Sequence, residues 1–342
     1  MEKIITIGLD LAKQVFQVHG VDGEGKAVLR KALRRNAVLD FFAKLAPCTV
    51  GMEACGGAHH WAREIAALGH EVKLMPPAYV KPYVKRGKND AADAEAICEA
   101  VKRPSMRFVP IKSAAQQANA MIYKTRELLV RQRTQLVNAL RAHLSEFGIV
   151  AARGLGKLAE LSAVVHDDSD ARLPQAARLA LGELVGQIEA LDKRIERLER
   201  EIVSQLRAHE AGRRLSTVPG IGPITAGALL AMVPDPGGFR SARHFAAWLG
   251  FTPRQKSSGG KQRLGSISKQ GNRFLRSLLI VGAANVLKRS SKPVSTWLAA
   301  LRQRRPFKVT AVALAHKMAR IVWALMVKGG VYRAAEQAVA TS

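Results

Sequence analysis

The stretch 3-KIITIGLDLAKQVFQVHGVD-22 decides how the N-terminal part of the chain is read. Ile4 to Asp10 is a β-rich run that ends on an acid. After a short turn, Val15, Gln17 and His19 alternate with Phe16, Val18 and Gly20. That period is nearer two than 3.6, which predicts a second strand. Working outward, KAVLRKAL predicts a third strand, and NAVLDFFAKL a helix with Asn36 as its N-cap. CTVGMEACG (48–56) is a short buried strand with Glu53 near its end, HHWAREIAALGH is a helix closed by Gly69, and EVKLMPP is another strand. NDAADAEAICEAVKR (89–103) is a helix capped by Asn89. The segment is therefore an alternating α/β unit.

Four acids fall at telling places in this pattern. Asp10 and Glu53 sit at strand ends inside apolar runs, where carboxylates are disfavoured. Asp90 and Asp93 are three apart on one helix and share a face. Any one of them alone reads as a cap or a solvated charge, and Asp90 in a first helical turn suits the helix dipole without any chemistry. Together they would repel one another unless a cation neutralised them, and hard oxygen ligands suit Mg²⁺ or Mn²⁺. The order strand-Asp, strand-Glu, helix-Asp-x-x-Asp is that of ribonuclease-H-like nuclease domains, where metal ions align an in-line attack on phosphate. Lys85, Arg86 and Lys88, just before the pair, suit a nucleic-acid backbone.

Composition points the same way. Among 342 residues, 54 Lys and Arg face 27 Asp and Glu, a formal charge of +27. Self-repulsion of that size calls for a polyanion, and nucleic acid is the expected one. The start MEKIITIGLD lacks the apolar core of a signal peptide. VTAVALAHKMARIVWALMV (309–327) contains His316, Lys317 and Arg320, which favours a buried amphipathic helix over a membrane span. Cys48, Cys55 and Cys98 lack paired metal-ligand spacing and read as reduced, partly buried thiols of a cytoplasmic protein.

The middle of the chain is helical. Residues 113–147 run without Pro or Gly and carry many basic side chains. Leu184, Ile188, Leu191, Ile195, Leu198 and Ile202 then step 4-3-4-3-4, a heptad stripe. It serves either an intermolecular coiled coil, the preferred reading, or an antiparallel pair with 113–147. VPGIGPITA, within 215–233, reads as helix, tight Gly turn, helix, a helix-hairpin-helix arrangement that offers backbone N–H groups to phosphate. Helices at 272–288, 293–303 and 309–327 close the chain. Before them stands RQKSSGGKQRLGSISKQGNRFLR (254–276), with seven basic residues and no acid. A hydroxyl on a flexible turn inside positive charge reads either as an ordinary loop or as a group presented to a phosphodiester.

Asp10, Glu53 and the Asp90-x-x-Asp93 pair resemble the DEDD motif of the insertion sequence 110 family of transposases. The C-terminal run from VPGIGPITAGALLAMV to QGNRFLRSLLI resembles that family's second domain, so the likeness spans nearly the whole chain. Spacing is similar to the 1111 subgroup, and the Piv-type DNA invertases share both domains. The resemblance implies a RuvC-like N-terminal domain (1–110), a helical linker with a coiled coil (111–210) and a mostly α C-terminal transposase domain (211–342) with a nucleophilic serine. Matched to the family's SG, that serine is Ser258, with Ser257 as the minor alternative. The implied reaction cuts and rejoins DNA through a phosphoserine, with the acidic, Mg²⁺-bearing site activating the serine across a dimer interface. The resemblance also implies a bridge RNA that guides the protein to donor and target DNA.

Around Ser258, Arg254, Lys256, Lys261, Arg263, Lys269, Arg273 and Arg276 are expected to neutralise phosphates. Synapsis of two duplexes favours a homo-oligomer, a dimer or a dimer of dimers, in the bacterial cytoplasm at the nucleoid and without a membrane. A Holliday-junction-type endonuclease would use the same four acids with water. A non-catalytic nucleic-acid-binding protein would not need all four.

Overall fold

The computed structural model describes residues 3–85, 89–152, 154–289 and 295–333. The chain forms two compact units that divide between Gln117 and Ala118.

The first unit is a five-stranded mixed sheet with helices. Its elements are β1 (Thr6–Asp10), β2 (Val15–Val21), β3 (Ala27–Arg34), α1 (Val38–Ala43), β4 (Thr49–Glu53), α2 (Ala58–Ala67), β5 (Glu71–Met75), α3 (Pro77–Val80) and α4 (Asp90–Val101). The strand order is β3-β2-β1-β4-β5. Short turns join β1, β2 and β3, so these pair antiparallel, from Thr6↔Val21 to Asp10↔Gln17 in the first couple. Helical crossovers carry the chain from β3 to β4 and from β4 to β5, so β1, β4 and β5 are parallel. This is the ribonuclease-H-like (RuvC-like) arrangement.

Strand period two divides the two faces. Ile7, Leu9, Val50 and Met52 are fully buried in one core with Phe16, Phe42 and Ile65. Phe16 and Trp61 meet edge-on there, with ring centroids 5.0 Å apart. The other face, with Gly8, Asp10, Gly51 and Glu53, lies under α4. Asn89 caps α4 as expected, its Oδ1 accepting from the Ala91 N–H at 3.0 Å. Asn36 does not cap α1: a 3-10 turn over Arg35–Ala37 precedes that helix, and no side chain bonds its first turn.

The second unit is mostly helical: α5 (Ala114–Ser145), α6 (Leu158–His166), α7 (Gln175–Ala208), α8 (Glu210–Leu215), α9 (Pro223–Met232), α10 (Ala242–Trp248), the short strands β6 (Pro253–Gln255) and β7 (Leu264–Ile267), α11 (Arg273–Arg289), α12 (Thr296–Arg304) and α13 (Phe307–Lys328). Ion pairs Arg126–Glu199 and Arg133–Asp192 tie α5 to α7. Seven residues up one helix match seven down the other, so the two run antiparallel. Ile188, Leu191, Ile195 and Ile202 of the heptad stripe are buried within the single chain, and Leu184 and Leu198 are half-buried. Ile188 packs with Val137, Leu140 and Leu144 of α5. The stripe is thus met by its own chain, and the preferred reading of it as a dimer contact is corrected. The physical reason is length: α5 and α7 are 32 and 34 residues long, enough to cover each other's apolar face.

The C-terminal core gathers on α13, whose Ala315, Met318, Ala319 and Val322 pack with Leu275, Leu279 and Ala283 of α11 and Phe245 and Leu249 around α10. By length and composition α13 is apolar enough to cross a membrane, but its apolar face is the centre of this core. The turn between α8 and α9 crosses α11 closely: a Cβ on Gly220 would stand 2.8 Å from the Gly282 carbonyl oxygen. Gly222 and Pro223, at the start of α9, are exposed.

Candidate metal centre and serine hairpin

The acidic site follows from how closely α4 lies on β1. A Cβ on Gly8 would sit 2.1 Å from the Ala94 carbonyl oxygen and 2.4 Å from the Cys98 nitrogen. Only a strand residue without a side chain lets the helix backbone come that near. Asp10 is two residues beyond Gly8 and so on the same face; in the first turn of α4, Asp93 directly precedes Ala94, where the helix meets Gly8, and Asp90 lies about one turn before it. One carboxylate oxygen each from Asp10, Asp90 and Asp93 lie within 4.8 Å of one another. Glu53 ends the neighbouring parallel strand, one residue past the last pairing of that couple, Leu9↔Met52.

The electrostatics show the strain of gathering these acids. Burial, then Asp93, then Asp90 push the Asp10 carboxyl up to about 6. Burial, then Asp10 and Asp93, also raise Glu53. An all-carboxylate set of this spacing fits a hard divalent cation, whose oxygen ligands stand about 2.0–2.6 Å from the ion. Asp10, Asp90 and Asp93 could hold it, while Glu53, at the end of the neighbouring strand, is not part of that three-carboxylate group.

The flanking cations divide. Lys85 is exposed and pairs with Glu95 of α4 at 2.5 Å. Arg86 and Lys88 lie outside the described residues. Cys48 and Cys98 are buried thiols, whereas Cys55, beside the acids, is exposed.

In the second unit, 254–276 folds as a β-hairpin followed by the start of α11. Pro253 pairs with Ile267 and Gln255 with Leu264. The Lys256 N–H donates to the Arg263 carbonyl at 2.9 Å, and Lys261 N–H to the Ser258 carbonyl at 3.1 Å. Gly259 and Gly260 both have positive φ, 55° and 75°. Two successive left-handed residues make a type I′ turn, the hairpin turn that Gly-Gly favours. Ser258 is therefore the last residue before the tip. Residues 252–266 are exposed without a break.

The two serines differ. The Ser257 hydroxyl accepts from the Arg263 N–H at 3.1 Å. Among the described residues the Ser258 hydroxyl has no hydrogen-bond partner. Arg254 donates to the Ser268 carbonyl at 3.2 Å. Among the described residues, no carboxylate pairs with Lys256, Lys261, Arg263, Lys269 or Arg273. Arg276 is different and corrects the expectation that it neutralises phosphate. It is buried, and its Nη1 donates to the Leu249 and Gln270 carbonyls at 2.8 Å each. Burial, then the Arg273 charge, lower its pKa from the ordinary guanidinium value.

Residues 7–149 match a family model described as a transposase of the DEDD, IS110 type, and residues 212–297 match one described as the IS116/IS110/IS902 transposase family. The chain belongs to the IS116/IS110/IS902 family of transposases. The two matches bracket the acidic site and the serine hairpin. A protein of Pseudomonas aeruginosa named a probable family 20 transposase is 53% identical over 96% of this chain and 98% of its own length. A putative transposase of Sinorhizobium fredii is 49% identical over 100% and 89%. The transposase of insertion sequence element IS1111A from Coxiella burnetii is 40% identical over 97% and 92%, in line with the 1111-like spacing.

Within this family chain, two contributors escaped the sequence reading. Gly8 brings α4 to Asp10, and the signal was a glycine inside an apolar strand two residues before an acid. Arg276 turns inward, and the signal was its place three residues after Arg273, among Leu275, Leu279 and other apolar residues of α11.

Proposed function

We propose that this transposase cuts and rejoins DNA with Ser258 as nucleophile and with the Asp10, Glu53, Asp90 and Asp93 carboxylates as the holder of Mg²⁺ or Mn²⁺. The observation that carries the reading is the cluster of three carboxylates within 4.8 Å in a domain matched to the DEDD transposases. When bound, the cation supplies positive charge that polarises the scissile phosphate and favours deprotonation of the attacking hydroxyl.

The rest of the chemistry belongs to the chain. The Ser258 Oγ forms a bond to phosphorus as one deoxyribose oxygen leaves. The serine proton passes to a carboxylate or water, and the departing oxygen takes one up. The phosphodiester becomes a phosphoserine diester, so the hydroxyl of a second strand reseals DNA by the reverse step without ATP. A serine hydroxyl needs such activation because it is a weak nucleophile at neutral pH. Lys256, Lys261, Arg263, Lys269, Arg254 and Arg273 neutralise the backbone on either side, and Lys85, Arg86 and Lys88 do so beside the acids. The free Ser258 hydroxyl, against the engaged Ser257 hydroxyl, supports Ser258 as the nucleophile.

The charge of +27 supports two polyanions, duplex DNA and a bridge-type guide RNA. Functionally the chain works as segments 1–110, 111–210 and 211–342, assembled as a dimer or dimer of dimers on donor and target DNA at the nucleoid. The exposed Gly222–Pro223 start of α9 adds a helix-hairpin-helix phosphate contact. Family membership favours this reading over a Holliday-junction-type nuclease. The test is a denaturing gel of end-labelled DNA incubated with protein, RNA and Mg²⁺. A labelled protein band that survives boiling in detergent supports the serine. Cleavage with no such band refutes it.

A further inference from the structure

Arg276 stands in an unusual electrical setting. Residues 236–333 contain 20 Lys and Arg and neither Asp nor Glu, so no carboxylate in this stretch balances the buried guanidinium. Its two bonds go to carbonyls, one at each foot of the serine hairpin. Leu249 ends α10 just before the hairpin, and Gln270 follows it.

Around those bonds the feet are tightly drawn together. A Cβ on Gly250 would meet the Gln270 carbonyl oxygen at 2.2 Å, and one on Gly271 the Trp248 carbonyl oxygen at 1.8 Å. The Ser268 N–H donates to the Thr252 carbonyl at 2.7 Å and the Lys269 N–H to the Gly250 carbonyl at 3.1 Å. Lys269 holds φ at 58°, in the left-handed region that a lysine rarely adopts. Such a conformation persists where the surroundings over-determine it, and it tends to occur at functional sites.

We infer that Arg276 is the positioning residue that aims the serine hairpin, an inference that rests on Ser258 being the nucleophile. The hairpin is exposed from Thr252 to Ser266, and Ile267 at its foot packs against the helical core. From Pro253 to Ser258 is five steps, or about 17 Å of strand. A tilt of about 5° at the feet moves the hydroxyl by roughly 1.5 Å, and misplacement by about 1 Å costs on the order of 100-fold in rate. A guanidinium that bridges both feet removes that tilt. Both bonds come from the one Nη1 nitrogen, whose N–H directions are fixed by the planar guanidinium, whereas a lysine supplies the charge on a flexible stem with freely rotating donors.

The experiment compares full-length wild type, Arg276→Gln, Arg276→Lys and Ser258→Ala on a duplex carrying the element's end, with the copurified RNA. It reads the initial rate of covalent adduct, the DNA dissociation constant and amide hydrogen exchange. Arg276→Gln is expected to slow adduct formation by about 10- to 100-fold while DNA affinity stays within about twofold, since an inward-facing side chain makes no phosphate contact. Arg276→Lys is expected to recover part of the rate. The Ser268 and Lys269 amides are expected to exchange faster in both variants, with core amides of α11 and α13 unchanged. A wild-type adduct rate in Arg276→Gln overturns the inference. If that variant unfolds, exchange in Arg276→Lys decides: feet that open before the core support the clamp, and feet that open only with the core overturn it as a merely structural role. An active Ser258→Ala refutes the nucleophile instead, and the exchange data then judge the clamp alone.

Discussion

Replacing Asp10 with Asn should stabilise the metal-free protein and abolish its response to Mg²⁺. Asn keeps the shape and removes the charge that burial and two aspartates oppose. The carboxyl rises from an ordinary 3.8 to about 6 in the fold. A rise of about two units corresponds to roughly 3 kcal/mol at most. Asp10 is half-exposed, and solvent screening reduces this to about 1–2 kcal/mol. The sign follows from where each state ionises. Below pH about 4 Asp10 is neutral folded or unfolded, and wild type carries no penalty. As pH rises toward 6 the unfolded chain has released its proton and the folded chain has not, so wild type loses stability with each unit. Above that range the full cost remains.

Asp10→Asn is free of this cost. In EDTA its melting temperature should exceed that of wild type by roughly 3–8 °C at pH 7.5 and by about half as much at pH 5. Millimolar Mg²⁺ should raise the wild-type value, because a ligand of the folded state alone stabilises it by mass action. It should leave the variant nearly unmoved. Differential scanning calorimetry of both proteins at both pH values, with EDTA and with Mg²⁺, measures all of this. A variant less stable than wild type at pH 7.5 in EDTA would refute the strained-carboxylate account. Equal gains from Mg²⁺ in the two proteins would remove Asp10 from the metal site.

Ser258→Ala should bind DNA and RNA as wild type does yet form no covalent adduct, whereas Ser257→Ala should stay active, losing only the bond from Arg263 N–H, worth about 0.5–1.5 kcal/mol; recombination assays on both variants check this, and activity in the double variant would eliminate serine. Gly8→Ala should cost about 1–3 kcal/mol or more by forcing α4 off β1, and should weaken Mg²⁺ stabilisation though it touches no acid; a melt unchanged from wild type would disprove the close approach. DNA binding should fall steeply with salt, and charge reversal of Lys261 and Arg263 together should flatten the slope by about two phosphate contacts; filter binding across a salt series that shows parallel lines would exclude these side chains from the backbone contact.

Local patterns carried much of this protein into view. The change from period two to 3.6 marked the strands and helices of the first unit, and the placing of acids at strand ends and in a helical first turn marked the site. Those features are legible because the backbone's two periodicities act over a few residues. The Gly-Gly after Ser258 likewise announced a turn, since few other residues accept two successive left-handed positions. What sequence could not decide was which surfaces meet. The stripe from Leu184 to Ile202 reads the same whether a second chain or α5 covers it, because apolar burial is non-directional. Arg273 and Arg276 look alike in a basic run, yet one faces solvent and the other bridges two carbonyls, because helix phase and the packing of α11 turn them apart. The 4.8 Å gathering of Asp10, Asp90 and Asp93 also depended on a contact some 80 residues apart in the chain, where a missing Cβ at Gly8 lets α4 settle on β1. Sequence named the carboxylates, and only tertiary packing brought Asp10, Asp90 and Asp93 together.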